Sequence, residues 1–338
     1  MKKVLLTIVD GTKNNAAPKA KEDIINFLGP KGFENWKITM NFHSKIQKIW
    51  EANFHLPALL KRGSFDEMVF QFPAYSFYLM KRFVRSFRKY HQNSKLIFIV
   101  HDVESLRQNA NGQYDQDEVM VLNAADGLIV YNNKMKQYLS SIGVNTPMVC
   151  LHIFDYDNPQ PLIKLEQLDH SVCFAGNLAK SSFLTKVKGD FKLNVYGPNP
   201  ADKYQQPVSY EGVYSPEELP KHLKGDFGLV WDGTSVSKCD GVYGNYLKYN
   251  APHKVSLYIS SGLPVIVWKQ AAIAQYVVEH KLGYAIDNLN DIPQLLKTIS
   301  EADYHQMKDN AEACASSMRE GYNIKLALQN MEAVLSSN

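Results

Sequence analysis

The stretch from Asp226 to Trp268 combines the residue types and spacing of a phosphate-binding site. A strand candidate, Gly228–Trp231, leads through a polar, glycine-containing loop to the sequence NAPHK, which opens a helix candidate, Val255–Ser261. The free N–H groups and partial positive charge of a helix N-terminus attract phosphate, and Lys254 adds a full charge. The pattern predicts a phosphate site at Asn250 and Lys254. The alternative is a solvated lysine in the first turn of a helix.

A second candidate is the segment FAGNLAK, in which an apolar strand ends at a glycine and is soon followed by a basic residue. Glycine lets a ligand approach the backbone closely, and Lys180 can meet a diphosphate from the side opposite Lys254. We therefore expect Asn177 and Lys180 to contribute to the same site, although a strand that ends in Gly-Asn is often only a turn. Tyr214 precedes a Ser-Pro-Glu-Glu helix start and is a candidate to stack on a nucleobase or ribose; the alternative is a half-buried tyrosine.

His101 and Asp102 directly follow the apolar run KLIFIV. A residue at the carboxyl end of such a strand is well placed to act as a general base on a hydroxyl group. We take Asp102 as the candidate base with His101 beside it, and Glu104 as a competing base. An acidic residue after a strand is also a common helix cap, which is the alternative interpretation.

Several other motifs are absent or poorly placed. Asp155-Tyr-Asp157 matches an Asp-x-Asp metal pattern, but it lies in a polar segment that we interpret as a linker. The sequence contains no G-x-G-x-x-G after a strand and no G-x-x-x-x-G-K-[ST], so it carries neither a dinucleotide fingerprint nor a P-loop. We expect no metal ion and no other cofactor.

Basic residues are concentrated in residues 77–95, where Phe77, Met80, Val84 and Phe87 fall near one helical face. An amphipathic helix with a basic polar face can lie on an anionic membrane. The alternative is a helix that packs on its own domain and exposes a basic outer face.

The elements that position these residues alternate between short apolar strands and amphipathic helices, which indicates parallel sheets covered on both faces. The predicted strands are Lys3–Val9, Met68–Gln71, Lys95–Val100, Gly127–Val130, Ser171–Phe174, Leu193–Tyr196, Gly228–Trp231 and Val265–Val267. The predicted helices are Lys19–Leu28, Ser76–His91, Asn133–Ile142, Pro216–Leu223, Lys254–Ser261, Ala271–His280, Asp291–Ile299 and about Tyr304–Leu335.

This pattern predicts an α/β protein of two doubly wound domains that enclose a cleft. The polar segment Asp155–Leu168 is the expected linker. We place an N-terminal domain at residues 1–155, joined by the C-terminal helix of about 316–338, and a second domain at 156–315.

The 338-residue chain has a net charge of only +3, so nothing in its composition favours nucleic acid as a partner. No apolar run is long enough to cross a bilayer. The four cysteines lack the spacing of a zinc site or a redox pair, and Cys150 and Cys173 lie in apolar runs that indicate burial. We expect a cytoplasmic protein, with a peripheral position at the inner face of the membrane through residues 77–95 as an open alternative.

Four long segments also occur together in a known family. IVHDVESLR, FAGNLAKSSF, FGLVWDGTSV and GNYLKYNAPHKVSLYISSGLPVIVWKQAAIAQYV closely resemble bacterial galactofuranosyltransferases of O-antigen and capsule synthesis. They are more distantly similar to the glucosyltransferases that extend glycans on serine-rich-repeat adhesins. The resemblance spans most of the chain and is strongest from Val172 to Ile286. It implies a GT-B fold of two Rossmann-like domains, a UDP-sugar donor, no required metal and inversion at the anomeric carbon.

The resemblance also implies roles for individual residues. It assigns Lys180, Tyr214, Lys254 and the following Val255 to the donor site, and it places the loop around Gly11 at the border of donor and acceptor. It implies no catalytic base, so Asp102 rests on its position alone.

Together these features predict an inverting hexosyltransferase that acts on a glycan or lipid-linked saccharide acceptor, with UDP-galactofuranose as the favoured donor. The alternative is a UDP-glucose or UDP-N-acetylglucosamine transferase that extends a glycan on a protein. A catalytically silent partner protein and a nucleotide-sugar epimerase are weaker alternatives. Self-association is common among such transferases, although the sequence shows no interface.

Overall fold

A computed structural model describes residues 2–11, 16–108, 115–164 and 168–337, with the side chains of residues 16–18 excepted. The chain divides into two compact units. The first comprises residues 1–151 and 323–338, and the second comprises residues 152–322. Each unit contains one six-stranded parallel sheet with helices.

The sheet of the first unit has the strand order β2-β1-β3-β4-β5-β6, and all its neighbours pair in parallel. Its strands are β1 (Lys3–Asp10), β2 (Phe33–Met40), β3 (Glu67–Phe72), β4 (Lys95–Val100), β5 (Gly127–Val130) and β6 (Met148–Cys150). Its helices are α1 (Ala16–Leu28), α2 (Lys45–Trp50), α3 (Leu56–Arg62), α4 (Phe77–Tyr90), α5 (Glu104–Gln108), α6 (Gln116–Asn123) and α7 (Asn133–Ser141). A 3-10 turn follows α1 at Gly29–Lys31, and a π-helical segment, Glu51–His55, joins α2 to α3.

The sheet of the second unit has the strand order β12-β11-β10-β7-β8-β9, again all parallel. Its strands are β7 (Ser171–Ala175), β8 (Lys192–Tyr196), β9 (Val208–Gly212), β10 (Phe227–Val230), β11 (Val265–Trp268) and β12 (Gly283–Ile286). Its helices are α8 (Leu219–His222), α9 (Gly241–Tyr246), α10 (His253–Ser260), α11 (Ile273–Glu279), α12 (Ile292–Thr298) and α13 (Glu301–Met318). Short 3-10 turns occupy Leu178–Lys180, Ser182–Thr185 and Leu289–Asp291.

The predicted strands are confirmed, but the prediction missed four others: β2, β6, β9 and β12. These four are the two edge strands of each sheet. An edge strand is half solvated, so its sequence mixes polar and apolar residues, whereas a central strand is buried on both faces and reads as an apolar run.

The single predicted helix at about Tyr304–Leu335 was wrong. The structure has two helices there, α13 and α14 (Tyr322–Ser336), separated at Gly321. Gly321 has a φ of 71°, a left-handed conformation that ends a helix and that glycine adopts without strain. Residues from Asn323 onward belong to the first unit, where Glu332 accepts a 2.6 Å hydrogen bond from Lys3 Nζ.

The amphipathic helix predicted within residues 77–95 is α4, and its apolar face packs on its own unit. Ser76 caps its first turn by accepting from the Leu79 N–H at 3.4 Å. Met80, Val84 and Phe87 are buried, so these side chains are not available to a lipid surface. The alternative interpretation, a packed helix with a basic outer face, describes α4, and the peripheral membrane contact stays a prediction.

The remaining features concern cysteines and long apolar helices. All four cysteines are free thiols; Cys173 is buried as predicted, whereas Cys150 is only partly buried. Within the ranges that the structure describes, no helix has the length and apolar character needed to span a membrane.

Candidate active site

The strand order of the second unit defines where a ligand should bind. The chain runs from β7 outward to β8 and β9, then crosses back to β10 on the other side of β7. In open α/β sheets, ligands bind at the carboxyl ends of the strands where the order reverses. Gly176 follows β7 at this point, and Trp231 and Asp232 follow β10.

Lys254 lies at this switch point. Its Nζ donates to Asp232 Oδ1 at 2.8 Å and to the Trp231 carbonyl oxygen at 3.3 Å, and it lies 4.7 Å from the centre of the Phe174 ring. Its side chain is 18% exposed. The ammonium is therefore held in place by both neighbouring strands of the switch point while part of it remains accessible.

The start of α10 and the end of β7 complete this arrangement. Within the described part of the chain, no side chain caps α10, whose N-cap is Pro252, so its first N–H groups suit an anion. A Cβ added to Gly176 would lie 3.0 Å from Lys254 Cε, so a larger residue there would crowd the lysine side chain where it runs past the strand end. The structure thus brings the two predicted phosphate-binding segments together.

Asn177 and Lys180 follow Gly176 on a short 3-10 turn. Asn177 Oδ1 accepts from the Ala179 N–H at 3.1 Å and caps the turn. Lys180 is exposed, and its Nζ lies 3.9 Å from the centre of the Tyr243 ring, where the ring face attracts the cation. Tyr243 belongs to α9, in a segment for which the sequence predicts a glycine-containing loop.

The other predicted donor-site residues differ in how accessible they are. Tyr214 follows β9, is 37% exposed, and stacks on His222 with ring centres 3.8 Å apart and planes 12° apart. One face of the Tyr214 ring is thus covered by His222. Asn250 is partly buried ahead of α10. Val255 is fully buried, and its N–H donates to the Pro252 carbonyl at 3.0 Å, so both groups already serve the packing of the unit.

The first unit has its own switch point, between β1 and β3. Gly11 follows β1, is exposed, and donates its N–H to Met40 O at 3.1 Å. The buried Lys21 bridges the two strand ends, because its Nζ donates to Ile8 O at 3.0 Å and to Pro73 O at 3.1 Å. Lys21 is not among the site residues predicted from the sequence, although it precedes the buried residues Ile24 and Leu28 by three and seven positions, on one helical face.

The predicted base Asp102 lies at the carboxyl edge of the same sheet. Its Oδ2 accepts from Arg107 Nη1 at 2.8 Å and from the Tyr75 hydroxyl at 3.2 Å. His101 is buried, and its Nε2 lies 2.9 Å from Gln71 Oε1. The His101 ring is thus engaged in the packing of the unit, and the Asp102 carboxylate is held by two donors.

Glu104 has the proton affinity that suits a base near neutral pH. Burial, together with the charge of Glu118, raises the pKa of Glu104 to about 7. Burial lowers the pKa of Lys21 to about 8, against the opposing effect of the carboxylates of Asp102 and Glu104. Perturbed groups that lie together at a strand edge are typical of functional sites.

The described residues contain no cluster of three or more His, Cys, Asp or Glu side chains that could hold a metal ion. Asp155, in the predicted linker, is buried. The expectation that the reaction needs no metal stays a prediction.

The chain contains two doubly wound α/β units, and in each unit polar side chains lie at the carboxyl edge of the sheet. This arrangement defines the GT-B class, which the sequence predicted. The fold is shared with a solved alpha-glucosyltransferase in complex with UDP, at a TM-score of 0.59 and 10% identity, over 99% of both chains.

The chain belongs to the Glucosyltransferase 3-like family. The model of that family's N-terminal domain matches residues 2–153, and the model of its C-terminal domain matches residues 172–331. The chain is 33% identical over 265 residues to the beta-1,6-galactofuranosyltransferase WbbI of Escherichia coli K12, covering 76% of each protein. It is 27% identical over 237 residues to Glucosyltransferase 3 of Streptococcus gordonii, covering 70% of each. The chain is therefore a glycosyltransferase, as predicted.

Proposed function

We propose that this enzyme transfers a hexose from a UDP-sugar to a glycoside acceptor during synthesis of a surface glycan, with inversion and without a metal ion. The favoured donor is UDP-galactofuranose. The observation that carries the proposal is the position of Lys254 at the switch point of the second unit, 2.8 Å from Asp232 and beside the uncapped start of α10.

In this mechanism the donor diphosphate lies at the start of α10, near Lys254 and the Gly176–Lys180 turn. Charge develops on the departing UDP as the bond to the anomeric carbon breaks. A lysine already fixed by Asp232 and the Trp231 carbonyl stabilises that charge without further reorganisation, which is the main source of electrostatic catalysis. The uridine base stacks on the exposed part of the Tyr214 ring, which is 37% exposed and also contacts His222 and Tyr196.

The acceptor hydroxyl loses its proton to a carboxylate. Asp102 is the base proposed from its position, and Glu104 is its competitor. The pKa of about 7 supports Glu104, because a carboxylate with that pKa is largely deprotonated just above neutral pH and accepts a proton more strongly than an ordinary carboxylate. The hydroxyl oxygen then attacks the anomeric carbon from the face opposite UDP, which inverts its configuration.

The choice of galactofuranose is supported by the relative with 33% identity, whose name specifies a beta-1,6-galactofuranosyltransferase. The second candidate donor is UDP-glucose, which is favoured by the 27% identical Glucosyltransferase 3 of Streptococcus gordonii. Residues that bind a diphosphate say little about which sugar it carries, so the two candidates share the same phosphate site.

A donor screen tests the proposal. The purified protein is incubated with UDP-galactofuranose, UDP-galactopyranose, UDP-glucose or UDP-N-acetylglucosamine and simple alkyl hexosides, with and without EDTA. UDP release and product mass are measured. Turnover with the furanose donor alone, unchanged by EDTA, is the expected result. Turnover with only a pyranose donor would refute galactofuranose, and loss of turnover in EDTA would refute the metal-independent mechanism.

A further inference from the structure

The helical segment that includes α2 and the π-helical residues 51–55 exposes large apolar side chains in the first unit. Ile46 is 81% exposed, Ile49 52%, Trp50 51% and Phe54 63%. Their spacing of three, four and eight residues from Ile46 places them on one helical face. Neighbouring positions such as Ala52 are buried, so the segment is held on the unit. The Trp50 ring stacks on His55 at 5.1 Å, and the four apolar side chains stay at least half exposed.

Helix α4 extends the exposed surface. Tyr78 is 44% exposed, and its hydroxyl lies 2.9 Å from Asn53 Nδ2. The guanidinium of Arg82 lies 5.9 Å from the centre of the Tyr78 ring. The apolar residues Ile46, Ile49, Trp50 and Phe54, together with Tyr78, are called the apolar face below. Contiguous exposed apolar residues of this size mark an interaction site on a protein surface.

Most of the charges in the chain segment that carries the apolar face are positive, and Asp66 is its exposed acidic residue. Residues 41–101 contain ten lysines and arginines but only three acidic residues. Two of the three, Glu51 and Glu67, are buried, and Glu51 Oε2 lies 2.7 Å from His55 Nδ1. Lys45, Lys61, Arg62, Arg82 and Arg85 are exposed. An exposed apolar strip within a basic surface has the composition of helices that lie in the interface of an anionic bilayer.

We propose that the apolar face seats this chain on an anionic lipid bilayer. Ile46, Ile49, Trp50 and Phe54 enter the boundary between headgroups and acyl chains, and the surrounding lysines and arginines contact the acidic headgroups. A second copy of the chain fits this surface less well, because a two-fold contact would bring two basic surfaces together. The proposal is independent of the donor sugar, since its test measures lipid binding without turnover.

Vesicle co-sedimentation tests the proposal on the full chain. Wild-type protein is mixed with phosphatidylcholine vesicles with or without phosphatidylglycerol, at low and high salt. The test variant is Ile46→Ser with Phe54→Ser. The matched control is Val278→Ser, which replaces an apolar residue of the second unit that is 54% exposed. Thermal unfolding and circular dichroism verify that each variant is folded.

The expected result is salt-sensitive binding of the wild type to the phosphatidylglycerol vesicles. The double variant should bind about tenfold or more weakly, because two large apolar side chains no longer enter the lipid. Val278→Ser should bind as the wild type does. Trp50 emission should shift to shorter wavelength on binding, and Trp50→Phe should remove that shift.

Three outcomes overturn the proposal. The wild type fails to bind phosphatidylglycerol vesicles, or the double variant binds them as well as the wild type does. In the third outcome, light scattering shows a wild-type oligomer that the double variant dissolves while neither protein binds vesicles. That result would assign the apolar face to a second copy of the chain.

Discussion

Replacing Lys254 by alanine removes the ammonium that we place against the departing diphosphate. The wild-type Nζ is held 2.8 Å from Asp232 Oδ1 and 3.3 Å from the Trp231 carbonyl, and the side chain is only 18% exposed. A fixed, largely desolvated donor of this kind acts more strongly on developing negative charge than a solvated one. We therefore expect Lys254→Ala to act mainly on kcat.

The expected magnitude follows from comparable donors. Removing one preorganised donor to a developing oxyanion costs about 2.7–4 kcal/mol, or about 100- to 1,000-fold in kcat. The same substitution leaves Asp232, which is 20% exposed, without its ammonium partner. That loss should lower the free energy of unfolding by about 1–3 kcal/mol. The two effects are separable because only the second depends on the Asp232 charge.

The assay is UDP release at saturating donor, with the free energy of unfolding measured by urea denaturation. Adding Asp232→Ala to Lys254→Ala should recover much of the lost stability, because the uncompensated carboxylate is gone, but it should recover no turnover. Lys269→Ala is the matched control, since its ion pair with Asp287 spans 3.1 Å on the surface and the lysine side chain is 64% exposed. Exposed pairs of this kind contribute little to stability, so this variant should behave as the wild type.

Two results would refute this reasoning. One is a folded Lys254→Ala protein whose kcat stays within about threefold of the wild type, which would mean that the ammonium makes no interaction specific to the transition state. The other is recovery of turnover in the double variant, which would show that the single substitution acts through the unpaired carboxylate.

Three further predictions concern pH and donor binding. Because burial raises the pKa of Glu104 to about 7, kcat/KM should fall as the pH drops below about 7. This fall in kcat/KM at low pH should be absent in Glu104→Gln. If it is absent in Asp102→Asn instead, the base is Asp102. Tyr214→Ala should raise the donor KM about tenfold and Tyr214→Phe should not, because base–aromatic stacking contributes about 1–3 kcal/mol; an unchanged KM in Tyr214→Ala would remove the stacking role. Burial raises the pKa of Glu67 from 4.5 to about 7, so the folded protein binds that proton more tightly than the unfolded chain and loses stability as the pH rises through this range. Glu67→Gln should therefore raise the free energy of unfolding by about 1–3 kcal/mol at pH 8 and change it little at pH 5; equal effects at both pH values would contradict the assignment.

The central strands of both sheets were predictable because burial on two faces leaves an apolar run in the sequence. Lys95–Val100 and Gly127–Val130 have the bounds that the sequence predicted. The edge strand Phe33–Met40 was not predictable in this way, because several of its side chains are exposed and polar. Its pairing with β1 depends on a partner that is distant in the chain.

The same distinction holds for the two candidate sites. The segments around Lys254 and Gly176 each carry a local pattern, a strand end or a helix start, that indicates phosphate binding. The cluster around Lys21 carries none, because its carbonyl partners are Ile8 and Pro73, which meet only when β1 and β3 pair. Likewise, the pKa of Glu104 is raised by burial and by Glu118, which follows fourteen positions later in the chain.

The helices within residues 45–90 show that the sequence alone does not determine which apolar faces become buried. The sequence determines that α4 has an apolar face, because the spacing of Met80, Val84 and Phe87 follows the helical repeat. Periodicity does not specify what covers such a face. The tertiary structure packs α4 against its own sheet and leaves Ile46 and Phe54 exposed. Burial depends on which elements lie nearby in space, and only the folded chain sets that.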